Sequence, residues 1–198
     1  MHCYKFDEIL NDFMDYFILG DADYLLQYKL EHHLPDNLLQ EFTTQETGDI
    51  AVEQGVIVPM RGVQNYPYTI YFNLSLDEPE LLKPYNELQH QRDGYCLKVV
   101  NERIFLYTMP YLKEFTPSTL VMLKNNKKAT IFLPNGWYQV SILAGLSRQY
   151  TSIANAYRAQ NTLVESMEPT FEFVIRPSKE KPSYSADFMY SFDIESKE

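Results

Sequence analysis

A mainly β single domain, a single β-sandwich with helical additions, is predicted by three features of the chain. Short aromatic and β-branched runs recur from Gly55 onward, turn residues separate them, and helical patterns do not alternate with them as a βαβ domain requires. The chain has 198 residues, of which 45% are hydrophobic, enough for one domain with a sizeable core. With only seven glycines and no repeat or low-complexity tract, nothing marks a linker between two domains. The expected organisation over 1–198 is an acidic segment 1–55 packed on a sandwich at 56–176, followed by a C-terminal tail at 177–198.

Asp7 to Leu19 places Ile9, Leu10, Phe13, Met14 and Phe17 at helical spacing, while Phe13 to Leu19 equally suits an aromatic strand ending at Gly20-Asp21. Asp21 to Leu39 reads as partly helical, with a short helix restarting after Pro35 on Asp36 as N-cap. Val56 to Val58 and Tyr68 to Leu74 read as buried strands. Tyr95 to Val100 and Arg103 to Met109 flank Asn101-Glu102, a spacing that predicts a tight hairpin. Leu120 to Leu123 precedes a polar turn at Lys124 to Lys128, and Ala129 to Leu133 follows. Ile131 to Leu133, Pro134-Asn135-Gly136 and Trp137 to Leu143 read as strand, turn, strand, with Asn-Gly supplying positive φ. The periodicity of Ile153, Ala156, Tyr157, Leu163 and Val164 predicts a helix over 148–167, giving α+β character there and in the N-terminal third. Thr170 to Ile175 is a further strand ended by Pro177. Alternation on these strands predicts a core of Ile70, Phe72, Leu97, Val99, Phe105, Ile131, Leu133, Val140 and Ile142.

The formal charge of −10 is unevenly placed. Residues 1–55 contain twelve acids against Lys5 and Lys29, whereas the remainder carries fifteen charges of each sign. Phosphate recognition needs clustered Lys and Arg, so direct nucleic-acid binding is disfavoured and a basic partner is favoured. The longest apolar runs fall far short of the roughly 20 residues that span a bilayer. The first ten residues lack the basic start and apolar stretch of a secretory signal, so a cytoplasmic location is expected. Cys3 and Cys96 belong to no CxxC pair and read as free thiols.

No nucleotide, metalloprotease, hydrolase or calcium signature is present in the sequence, so neither an enzyme nor a cofactor or metal is expected. Adjacent His32 and His33 would point about 100° apart on a helix, a poor arrangement for one metal. His90, with Gln91, Arg92 and Asp93, reads as a solvated loop. Sixteen tyrosines raise a second possibility, a binding module that recognises a glycan or small ligand through exposed aromatics, Trp137 among them.

The stretches FMDYFILGD (Phe13–Asp21), GVIVPMRGVQNYPYTIYFNL (Gly55–Leu74), Leu97–Met109 and KATIFLPNGWYQVSILAG (Lys128–Gly145) cover about a third of the chain. In their order, and in the LPxGxY turn at Leu133–Tyr138, the chain resembles the small β-sandwich inhibitors of DNA-entry nucleases in bacterial competence systems, and acidic immunity proteins that neutralise toxins. That resemblance implies a non-enzymatic inhibitor or immunity protein that sequesters a basic effector, a nuclease toxin being one such partner. On the charge distribution, Asp12, Asp15, Asp21, Asp23, Glu31 and Asp36 are the candidate partner-binding residues.

Overall fold

The computed structural model describes residues 2–6, 16–126, 129–154, 161–187 and 189–196. In chain order its elements are β1 (His2–Phe6), β2 (Tyr16–Gly20), α1 (Ala22–Glu31), α2 (Leu38–Thr44), α3 (Thr47–Glu53), β3 (Val58–Arg61), β4 (Tyr68–Asn73), β5 (Glu87–Val99), β6 (Arg103–Thr108), α4 (Pro117–Asn126), β7 (Thr130–Phe132), β8 (Gly136–Ala154) and β9 (Asn161–Ser178). Short 3₁₀ turns span Glu80–Leu82 and Met109–Glu114. The strands form a five-stranded sheet, β1-β4-β9-β8-β5, and a four-stranded sheet, β3-β2-β6-β7. β4 and β9 are parallel, and the other strand pairs are antiparallel. The fold is the expected mainly β sandwich with helical additions.

Its layers follow from the period of two in each strand. On β6, Ile104 and Leu106 enter the core between the sheets, while Phe105 and Tyr107 point the other way into a second apolar layer under α1–α4. β2 divides likewise, with Phe17 and Leu19 inward and Ile18 outward. The small sheet is thus apolar on both faces, because a helical layer covers the one the large sheet does not. All nine expected core residues are buried, and eight share the core between the sheets. Phe105 belongs to the second layer instead.

Both expected hairpins are corrected to crossings between sheets. β5 lies in the large sheet and β6 in the small one, and β7 to β8 makes the return crossing. A short turn serves either connection, so turn chemistry alone does not distinguish them. The crossings bind each other: Leu133 N donates to Glu102 O (3.0 Å) and Glu102 N to Asn135 Oδ1 (2.8 Å). Positive φ falls on Glu102 (56°) and not on Asn135 or Gly136.

The helix expected over 148–167 is instead the end of a long hairpin. β8 and β9 pair without a register break from Trp137↔Ser178 to Ala154↔Asn161. Residues 155–160, including Ala156 and Tyr157 of the expected helical face, lie outside the described residues. Pairing already established in the sheet carries this register outward, and Tyr, Thr, Ile and Val suit strands. Pro177 does not end β9, since it still pairs with Tyr138. Leu120 to Leu123 lies in α4, which continues through Lys124 to Asn126.

The segments at both ends are integral to the sandwich. β1 and β2 are strands of the two sheets, so 1–55 is not simply laid onto a finished body. Beyond Ser178 the chain crosses the open side between β5 and β3, and Phe192 and Ile194 are fully buried in the core between the sheets. The expected tail is a strap.

Buried tyrosines give the fold an alkaline limit. Burial raises the Tyr184 hydroxyl to about 12, and burial also raises those of Tyr95 and Tyr107. In the unfolded chain such groups ionise near pH 10. Their contribution to stability is therefore complete below about pH 10 and is lost as the pH rises beyond it, where the unfolded chain sheds these protons first. Melting temperature is expected to hold up to that pH and then fall, with part of the phenolate absorbance, that of the buried tyrosines, appearing only together with unfolding. Phenolate absorbance developing fully near pH 10 in the folded protein would contradict this.

Candidate functional site

The six acids singled out from the sequence do not form one patch of free carboxylates. Asp12 and Asp15 lie outside the described residues. Asp21 is fully buried and caps α1, its Oδ1 accepting from Asp23 N and Tyr24 N (both 3.1 Å). Its Oδ2 accepts from Val100 N (2.9 Å) and Asn101 N (2.8 Å) at the β5–β6 crossing. This carboxylate joins two parts of the fold and presents no surface to a partner. Asp23 is held by Lys124 Nζ of α4 at 2.6 Å. Asp36 pairs with Lys29, whose buried ammonium also donates to Phe115 O (2.8 Å). Asp36 is not the cap of α2, because Asn37 accepts from Gln40 N in that role. Glu31 is exposed and accepts from Gln27 Nε2 at 2.8 Å.

Of the remaining acids of this region, Asp7 and Glu8 lie outside the described residues, and Glu41, Glu46, Asp49 and Glu53 follow on α2, at the N-cap of α3 and on α3. Among the described residues none of them meets a cation within ion-pair distance. Glu46 and Asp49 are exposed and lie three residues apart at the start of α3, so they are neighbours on one helix face.

They stand on the lip of a cleft of about 560 Å³ between the helical layer and the outer face of the small sheet. That volume falls in the range of small-ligand and side-chain pockets. Ile18, Ile57 and Pro59 line its sheet side, while Phe42, Val52, Met109 and Leu112 wall it from the helical layer. Tyr16 and Met189 of the strap also line it. Gly48 permits this shape: a Cβ there would collide with the carbonyl oxygen of Phe42, so α2 and α3 approach closely and Phe42 is held beside the opening. Thr43 and Thr44 line the cleft but donate their hydroxyls to Leu39 O (2.7 Å) and Gln40 O (2.8 Å). Glu46 and Asp49 are the charged groups of the lining. The chemistry is an apolar floor with an anionic lip.

Reading the sequence by charge alone missed this site, because it ranked the acids nearest the N-terminus above those at 41–53. A usable signal was present: from Lys29 to Gly55 the chain contains no further Lys or Arg, while Phe42, Ile50 and Val52 interleave the acids.

The other candidates have structural partners. His90 lies in β5 rather than in a loop, with Tyr190 Oη 2.7 Å from Nδ1 and Asp193 O 3.0 Å from Nε2. A carbonyl only accepts, so Nε2 carries the proton and His90 fastens the strap. The Trp137 ring packs against Gly55 and under Lys98 Nζ, 4.7 Å from the ring centroid. Tyr85 and Tyr150 are exposed, at 42% and 59%. Among the described residues no three His, Cys, Asp or Glu side chains are grouped as a metal site demands. Among those residues, too, no helix is long and apolar enough to cross a membrane. Comparison of the chain with protein-family models, with curated proteins and with solved structures finds no match to any of them.

Proposed function

We propose that the protein is a non-enzymatic inhibitor or immunity protein that captures a basic effector polypeptide through the cleft between α2–α3 and β2–β3. The observation that carries this reading is the pairing of an apolar cleft with two exposed carboxylates, Glu46 and Asp49, that lack a cation among the described residues. An apolar side chain of the partner enters the cleft, and its flanking Lys or Arg meet the lip. Exposed carboxylates act over about 8 Å at physiological salt, so they mainly raise the encounter rate, while the desolvated anchor slows departure.

The test uses the product of a neighbouring gene as candidate effector, with association rates measured at low and high salt. Glu46→Lys together with Asp49→Lys is expected to slow association at least about tenfold at low salt, with the difference shrinking at high salt. Equal rates for the folded double variant and the wild type would remove this face from the interface. The glycan-binding alternative has weaker support, because the Trp137 ring already packs against Lys98 and Gly55.

A further inference from the structure

The β8–β9 hairpin extends beyond the sheet as a two-stranded arm. β5 last pairs with β8 at Leu146 and β4 first pairs with β9 at Thr170, yet β8 and β9 stay paired from Ser147↔Glu168 to Ala154↔Asn161. At about 3.3 Å per residue, this arm is roughly 25 Å long. A two-stranded ribbon alone is marginal in water.

The edge of β8 has a defined polarity. Arg148 N donates to Asn86 Oδ1 (2.8 Å), which takes the first outward N–H that β5 leaves open. Antiparallel alternation then turns the main-chain groups of Tyr150, Ser152 and Ala154 in the same direction, where no described strand pairs with them. Soluble proteins guard such edges with charge, proline or bulges. Residues 149–154 (QYTSIA) contain no charge and no proline, and the register has no bulge.

We propose that this edge is a dimer interface, pairing with the same edge of a second copy of the chain. A two-fold axis at Ser152 sets Tyr150 against Ala154 of the copy and Ser152 against its own counterpart, so outward groups meet outward groups and both edges are satisfied in a closed assembly. Charge also favours self-pairing here. The net negative charge that makes copies repel one another lies in the first 55 residues, whereas Arg148 of the arm is paired with Glu165 at 3.2 Å and the sequence from 149 to 157 is uncharged. Tyr150, 59% exposed, gains cover beside the axis.

Molar mass in solution, measured across a concentration series by light scattering and sedimentation, tests this on the intact chain. The wild type is expected to reach twice the monomer mass. Ser152→Pro removes an outward N–H without touching the ladder to β9, so it is expected to yield a folded monomer. Ser152→Lys makes the same test without a backbone change: like charges meet at the axis, dimerisation weakens, and added salt partly restores it. A wild type that stays monomeric throughout, including one whose arm pairs only with a foreign strand, overturns the proposal. So does a Ser152→Lys variant that dimerises as well as the wild type at low salt.

Discussion

Asp21→Ala is expected to lower the free energy of unfolding by about 4 kcal/mol, the largest effect of any single acid in the first 55 residues. Losing the cap of α1 costs about 1 kcal/mol. The greater part arises because Val100 N and Asn101 N are left without their acceptor in a part-buried crossing, at about 1–3 kcal/mol for each such group. Asp21→Asn should be intermediate, since one side-chain oxygen can still cap the helix while the amide opposes the crossing N–H groups. Denaturant titration of both variants measures this, and a loss below about 1 kcal/mol for the alanine variant would contradict the assignment. Charge reversal at Asp21 is therefore a test of folding, and binding variants belong at Glu46 and Asp49.

Asp21 also shows what the sequence could and could not reveal. Acidic character was legible, but whether a carboxylate faces solvent or backbone depends on Val100 and Asn101, some eighty residues away. Strands were legible where aromatic and β-branched residues cluster, as in Tyr68–Asn73, or alternate with polar ones, as in Phe171–Phe173, because those residues supply the core between the sheets. Their partners were not. Asn101-Glu102 and Pro134-Asn135-Gly136 turn the chain sharply in either a hairpin or a crossing, and only the two-sheet arrangement selects the crossing. The 148–167 stretch failed for a related reason: its apolar spacing fits a helix, but the pairing established from Trp137↔Ser178 onward keeps β8 and β9 together. The cleft was least legible, because its walls come from β2, β3, α2, α3, the 109–114 turn and the strap.

Phe192→Ala is expected to cost about 3–5 kcal/mol, an effect comparable with that of Asp21→Ala and found in what the sequence presents as a tail. Phe192 is fully buried, with ring centroids of Tyr190, Phe171 and His90 at 5.0, 6.0 and 6.1 Å. Its N–H donates to Arg61 O (2.7 Å) at the β3 edge, and farther back along the strap Ser185 N donates to Gly94 O (3.0 Å) on β5. The strap can lie this close because Gly62 and Gly94 adopt φ of 77° and 90°, and a Cβ at either would collide with Ser191 or Ser185. Truncating the ring leaves a cavity between the sheets on the side the strap closes, and the strap's hydrogen bonds cannot compensate for it. Denaturant midpoints should fall while the dependence on denaturant stays constant, as for a loss of stability without a change of fold. Because Met189 of the same strap lines the cleft, a variant that stays folded but loosens the strap should also weaken partner binding without altering Glu46 or Asp49. A stability loss under about 1 kcal/mol would show that residues 184–196 are a dispensable tail and that the sandwich closes without them.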